Sequence, residues 1–133
     1  MNALLFGSSV VVSFFLLLIY WFYYNPHLQL LYFTTVLGSI TSILNHGVSG
    51  SDFKYHDRFA IVVSAIVYLY YIFALDTFRM ITSLLVITFA GLMYFYAKLK
   101  ETSIYHLVAH FLLVPLFLII HLKKDQRNTK HPY

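Results

Sequence analysis

Three histidines, an aspartate and a serine lie where ionisable and polar side chains are expensive. His46 ends a long apolar stretch, with Ser42 four residues before it and Asp57 shortly after it. His106 and His110 lie in a later apolar stretch, four residues apart, and side chains at i and i+4 share one face of a helix. An ionisable residue within a transmembrane segment costs about 2.5–3.5 kcal/mol on insertion scales, which makes each one a functional candidate.

The residue types favour zinc chemistry. The chain contains no cysteine, and three imidazoles suit zinc, which at a catalytic site keeps its fourth position for water. Zinc lowers the pKa of that water to about 7. Asp57 is the candidate for taking a proton from the water and returning it to a leaving group, and Ser42 is the candidate donor to an oxyanion. We therefore expect His46, His106 and His110 to be metal ligands.

The elements that would position these residues are transmembrane helices. The chain is 60% hydrophobic and 11% charged, against roughly 25% charged residues in an average soluble domain. A spanning helix needs about 20 mostly apolar residues. The sequence predicts an all-α, polytopic membrane bundle, a single domain over 1–133 with helices at about 3–24, 28–46, 57–75, 78–97 and 103–122 and a polar tail at 123–133.

The alternation of the spans predicts which residues meet. The second helix ends, and the third and fifth begin, on the side of the membrane where the first begins. The histidines and Asp57 should therefore lie near one membrane face. The first segment lacks a basic start and ends in bulky aromatics, so we interpret it as a retained helix and not a signal peptide. The tail contains four basic residues, namely Lys123, Lys124, Arg127 and Lys130. By the positive-inside rule they predict a cytoplasmic C-terminus.

The order Ser42-x-x-x-His46, Asp57, His106-x-x-x-His110 resembles the signature of the CREST superfamily of membrane hydrolases, and most of all that of the alkaline ceramidases. The resemblance covers five positions on three helices. It implies a zinc ion held by the three histidines, a water activated by Asp57, and hydrolysis of a lipid amide such as ceramide. Members usually have seven spans, so this chain would be a shortened form. It has no acidic residue before Asp52, and we expect no calcium site of the ceramidase type.

Other interpretations of the same residues stay open. The histidines of two helices are also compatible with a haem protein that has no enzymatic activity. In a structural, assembly or receptor-like membrane protein they would satisfy one another, Asp57 would cap the third helix, and Ser42 would allow close helix packing. The net charge of +4 does not indicate nucleic-acid binding, because the cations lie at loop edges and in the tail.

The remaining polar residues are expected outside the site. His56 is adjacent to Asp57 and is interpreted as a loop residue, although it is an alternative ligand. His121 lies about 16 Å along the helix from His110, too far to share its metal. Asp76 and Arg79 are spaced for a local ion pair at the opposite side.

Overall fold

The structure is a computed structural model that describes residues 2–48 and 52–122, apart from the side chain of Asp52. Its helices are α1 (Ala3–Tyr23), α2 (Gln29–Gly47), α3 (Asp52–Ile72), α4 (Thr77–Lys100) and α5 (Ser103–His121), with a 3-10 turn over Pro26–Leu28 before α2. No strand occurs in these ranges. The prediction of an all-α bundle is confirmed. The tail predicted at 123–133 lies outside the described residues.

Short polar side chains set the helix starts. The Asn2 side chain accepts a hydrogen bond from the Leu5 amide at 3.2 Å at the start of α1, and that of Asp76 accepts one from the Arg79 amide at 3.3 Å at the start of α4. Such caps satisfy amides that have no partner within the helix. α3 begins at Asp52 instead of near 57, so Asp57 lies in the second turn of the helix and does not cap it.

The helices pack in the circular order α3, α2, α1, α5, α4. Each neighbour in this series packs along the next, whereas α3 and α4 meet at only a few positions. The apolar core fills the half of the bundle away from His46, His106 and His110. It consists of Val12, Leu16, Ile19, Leu28, Leu31, Tyr32, Val67, Tyr68, Ile72, Leu116, Phe117 and Ile120.

Polarity is distributed as expected for a bundle in lipid. Large apolar side chains point outward on every helix, for example Leu17, Phe33, Ile66, Leu85 and Ile104, each of which is more than half exposed. The interior holds polar groups, namely Ser8, Ser9, Thr34, His46, Asp57, Ser83, His106 and His121. Soluble proteins rarely expose apolar surface this extensive, whereas ionisable groups in a membrane protein face the bundle interior.

Four of the helical segments are long and apolar enough to cross a membrane. They are Ala3–Tyr23, Pro26–Gly47, Thr77–Lys100 and Ser103–His121. α1, with 21 residues, extends about 31 Å, close to the roughly 30 Å of a bilayer core. α3 is not in this group, because Lys54, Asp57 and Arg58 occupy its first turns, but its outer face from Phe59 onward is apolar and exposed.

The start of α1, the end of α2 and the start of α5 meet at one end of the bundle, which we call the histidine end. The Asn2 amide donates to the His46 carbonyl at 3.1 Å, and the Asn2 side chain donates to Ser103 Oγ at 2.8 Å. Gly47 permits this approach, since a Cβ there would lie 2.7 Å from the Phe6 ring. The end of α2 and the start of α5, which carry the three histidines, therefore do lie at the same end of the bundle.

Candidate metal centre

Three imidazoles converge inside the histidine end. His46 lies in the last turn of α2, and His106 and His110 lie in the first two turns of α5. One ring nitrogen from each lies within 4.8 Å of those of the other two. The ring centroids are separated by 5.1 Å for His46 and His106, 5.5 Å for His46 and His110, and 4.6 Å for His106 and His110. The three side chains are close enough to hold a metal ion.

His46 offers a nitrogen that lacks any protein partner. Its Nε2 is buried and has no hydrogen bond among the described residues. Leaving a buried polar atom unpaired costs about 1–3 kcal/mol, and the arrangement is accounted for if this nitrogen is a ligand. The donor set therefore fits a metal ion that accepts neutral imidazole nitrogen.

His121, at the other end of α5, shows what a structural histidine looks like in this bundle. Its Nδ1 donates to the Phe117 carbonyl at 2.7 Å, and its Nε2 accepts from the Tyr32 hydroxyl at 2.7 Å. The Tyr32 oxygen in turn accepts from the Asn25 amide at 3.0 Å. Every polar atom of this second cluster has a partner, unlike Nε2 of His46.

A serine on α1 fixes the orientation of His110. The Ser8 hydroxyl donates its only proton to the Leu5 carbonyl at 2.9 Å, and Ser8 Oγ lies 2.8 Å from Nδ1 of His110. With the hydroxyl proton directed to Leu5, Nδ1 of His110 carries a proton and donates it to Ser8. The lone pair of this imidazole is then on Nε2, and a hydrogen bond of this kind is how proteins orient histidine ligands.

Asp57 is held by the residue that precedes His46. Asn45 donates from Nδ2 to Asp57 Oδ2 at 2.9 Å, and Asp57 is 4% exposed. A carboxylate this deeply buried in the second turn of a helix is not a solvated interfacial group. The hydrogen bond connects α2 to α3 directly beside the first histidine.

Ser42 lies one turn before His46 and pairs with a second serine of α1. Ser42 Oγ lies 2.8 Å from Ser9 Oγ. Ser9, Ser42, Asp57, His106 and His110 all line one cavity of about 280 Å³ in the centre of the bundle. The catalytic candidates thus share a space with two of the three histidines. The cavity is lined by residues of all five helices and continues past apolar side chains of α1, α3, α4 and α5 towards Leu16 and Leu116.

An aromatic side chain of α4 closes the centre on its fourth side. The ring centroid of Tyr94 lies 5.0 Å from that of His106, edge to face. Lys98 Nζ lies 5.1 Å from the centroid of the same ring, and Arg58 of α3 lies near Tyr94. Two cations of neighbouring helices therefore lie next to the site.

Comparison of the chain with protein-family models, with curated proteins and with solved structures finds no match. The resemblance to the CREST superfamily contributes a hypothesis about the reaction, and the geometry contributes the convergence of the residues.

The structure adds residues to the site that sequence reasoning missed. Ser8, Ser9 and Asn45 contact the predicted site residues directly, and Tyr94 adjoins His106. The available signals were an adjacent pair of hydroxyls in an uncharged helix and a carboxamide beside a histidine. His56 lies on the exposed face of α3 and is not part of the group of three histidines.

Proposed function

We propose that this protein is a zinc-dependent hydrolase of lipid amides that acts within the membrane. The proposal rests on the convergence of His46, His106 and His110. It is supported by the buried Nε2 of His46, which has no hydrogen bond among the described residues. Asp57 and Ser42 line a cavity together with two of these histidines. Structural packing alone would leave the unpaired nitrogen unexplained.

Zinc is the metal that this donor set favours. Three imidazoles in a chain without thiolates form a common catalytic zinc site, in which one coordination position stays free. Bound there, zinc would supply a Lewis acid and a water with a pKa of about 7.

The protein's own residues would handle the protons. Asp57 accepts a proton as the water oxygen forms its bond to the amide carbon, and it donates a proton to the nitrogen as the carbon–nitrogen bond breaks. The products are a carboxylic acid and an amine. Asn45 orients Asp57 by its hydrogen bond. Ser42, bonded to Ser9, has a hydroxyl that can donate to the developing oxyanion.

The surroundings of the site favour a lipid substrate. The cavity is buried in a bundle whose outer surface is apolar on every helix, and it runs from the histidines between apolar side chains such as Val12, Ile87 and Leu113. An acyl chain is the substrate part that such a space accommodates. The choice of an amide bond comes from the resemblance to the alkaline ceramidases.

Metal content and hydrolysis test the proposal together. Protein purified in detergent should contain one zinc ion per chain by elemental analysis. His46→Ala and His110→Ala should lose it, while His27→Ala, which changes an exposed histidine remote from the site, should retain it. Wild type should release fatty acid from N-acyl lipids, and the two variants without zinc should not.

Each possible result has a defined meaning. A wild-type protein without zinc, or site variants that hold as much as wild type, would refute the metal centre. A zinc protein that cleaves no lipid amide would refute the hydrolase and favour a receptor-like or structural role. A Soret band in the absorption spectrum would replace zinc by haem.

The proposal includes a membrane orientation. The basic tail supports a cytoplasmic C-terminus, and because α1 begins at the histidine end while α5 ends at the other, the metal centre would face the lumen or the exterior. The chain has no cysteine, so single cysteines introduced at position 2 or in the tail can be labelled with impermeant maleimide. Labelling of position 2 from the cytoplasmic side, or of both positions from the same side, would contradict this orientation.

A further inference from the structure

The central cavity reaches the surface of the bundle between α3 and α4. Of the residues that line it, two are exposed, Ile61 on α3 and Gly91 on α4. These helices meet at only a few positions, and a Cβ built on Gly91 would find nothing within 4 Å. We call this gap the α3/α4 seam. The seam lies about halfway along α4, so it opens to the side of the bundle and not towards one of its ends. The outer surface around it is apolar.

Cations follow the seam towards the histidine end. On α3, Ile61 is preceded at helical spacing by Arg58 and Lys54, and on α4 Gly91 is followed by Tyr94 and then Lys98. Positions three, four and seven residues apart share a helix face. Seven residues advance about 10 Å, so the cations lie roughly that far beyond the opening.

These cations face one another across the seam. Lys98 lies near enough to Arg58 and Lys54 for their positive charges to act on it, and Arg58 also lies near Tyr94. Among the described side chains, the carboxylate that acts on Lys98 and Arg58 is that of Asp57, which is buried and hydrogen-bonded to Asn45. Like charges held in proximity favour the binding of an anion between them.

We propose that the α3/α4 seam is a lateral opening for a membrane lipid, which inserts one acyl chain into the cavity between Ile61 and Gly91. The anionic headgroup of this lipid is held by Lys54, Arg58 and Lys98. The apolar cavity complements the chain, and the cations complement the headgroup. Between these two regions the lipid passes Asp57 and His106, which line the cavity.

This inference deepens the proposed hydrolase function and rests on it for the identity of the substrate. It restricts the substrates to lipid amides that carry an anionic group. The fatty acid that amide hydrolysis releases has the same two features, a single chain and a carboxylate. Its binding requires no turnover, so the opening can be tested on protein from which metal has been removed.

Photo-crosslinking with a diazirine-bearing palmitate tests the opening. The probe is added to protein in phosphatidylcholine vesicles with a chelator present, and labelled residues are mapped by mass spectrometry. Wild type should be labelled at cavity-lining residues. Gly91→Phe and Ile61→Trp, which fill the seam from its two sides, should lose this labelling. Gly7→Phe is the matched control, because a Cβ at that helical glycine also meets nothing within 4 Å, and it should be labelled like wild type.

The headgroup is tested separately with the corresponding diazirine-bearing alcohol, which has no charge. Arg58→Gln together with Lys98→Gln should weaken palmitate labelling about tenfold and leave labelling by the alcohol unchanged. Unchanged cavity labelling in both Gly91→Phe and Ile61→Trp would overturn the lateral opening. Equal labelling by acid and alcohol would overturn the anionic headgroup. Cavity labelling without any amide hydrolysis in the zinc protein would leave the opening established and refute the hydrolase.

Discussion

Removing the hydroxyl of Ser8 should weaken zinc binding although this residue is not itself a ligand. In wild type, Ser8 accepts the Nδ1 proton of His110 and thereby leaves Nε2 free. In Ser8→Ala the Nδ1 proton of His110 has no acceptor, and water cannot easily replace the hydroxyl because residue 8 is only 4% exposed. The imidazole then loses its fixed tautomer and orientation.

The size of the effect follows from the burial. An unpaired buried N–H costs about 1–3 kcal/mol, and loss of the partner that orients a metal-bound histidine lowers metal affinity about 10- to 100-fold. The two ranges agree, since tenfold corresponds to about 1.4 kcal/mol. We therefore expect the zinc dissociation constant of Ser8→Ala to rise by one to two orders of magnitude.

A chelator competition titration at neutral pH measures this change, and Ser9→Ala is the matched control. Ser9 is the next residue, has the same 4% exposure, and bonds to Ser42 instead of a histidine, so its loss should leave zinc affinity unchanged. Nitrogen-15 NMR of labelled histidine reports the tautomer directly. Equal zinc affinity in Ser8→Ala and wild type, or a His110 protonated on Nε2 in metal-free wild type, would refute the reasoning.

Three further predictions concern the site and the helix ends. Asp57→Asn should keep its zinc and lose hydrolysis by about 10²–10⁴-fold, as measured by fatty acid release; zinc loss would instead make Asp57 a structural part of the metal centre. Gly47→Ala should destabilise the fold by about 1–3 kcal/mol because the Phe6 ring must move, whereas Gly7→Ala should stabilise it by up to about 1 kcal/mol. Thermal unfolding in detergent measures both changes, and equal shifts of the unfolding midpoint in the two variants would contradict this prediction. Asp76→Ala should lower the unfolding midpoint at neutral pH by removing the cap of α4. The Arg79 hydrogen bond lowers the pKa of the Asp76 carboxyl, so the stabilisation is present above the usual carboxyl pKa and disappears as the pH falls through the lowered value; a difference between wild type and variant that persists in strong acid would contradict this assignment.

The meeting of the three histidines could be predicted because it depends only on coarse properties of the chain. Apolar segments of sufficient length must cross the bundle, and alternating directions bring His46 and His106 to the same end whatever the packing details. The spacing of His106 and His110 then places the third nitrogen automatically. None of these steps requires knowledge of which helices are neighbours.

The supporting residues could not be predicted, because they depend on helix neighbours and rotations. Ser8 contacts His110 only because α1 packs against α5. The adjacent hydroxyls of Ser8 and Ser9 indicate the inward face of α1, but the sequence does not indicate which helix that face meets. The start of α3 was placed too late because the charged residues near Lys54 favoured a loop, yet the helix extends through them to Asp52. The α3/α4 seam could not be predicted either, because helices joined by a short connection usually pack along each other, whereas α3 and α4 meet at only a few positions.

The position of α5 between α1 and α4 has a consequence for biogenesis. His106 and His110, the latter being the partner of Ser8, belong to α5, while His46 and Ser8 belong to α2 and α1, which leave the ribosome before it. The group of three histidines is therefore complete only after α5 has inserted between α1 and α4. A chain that stalls before α5 lacks two of the three proposed ligands, so loading of the proposed zinc site would report that α5 is in place.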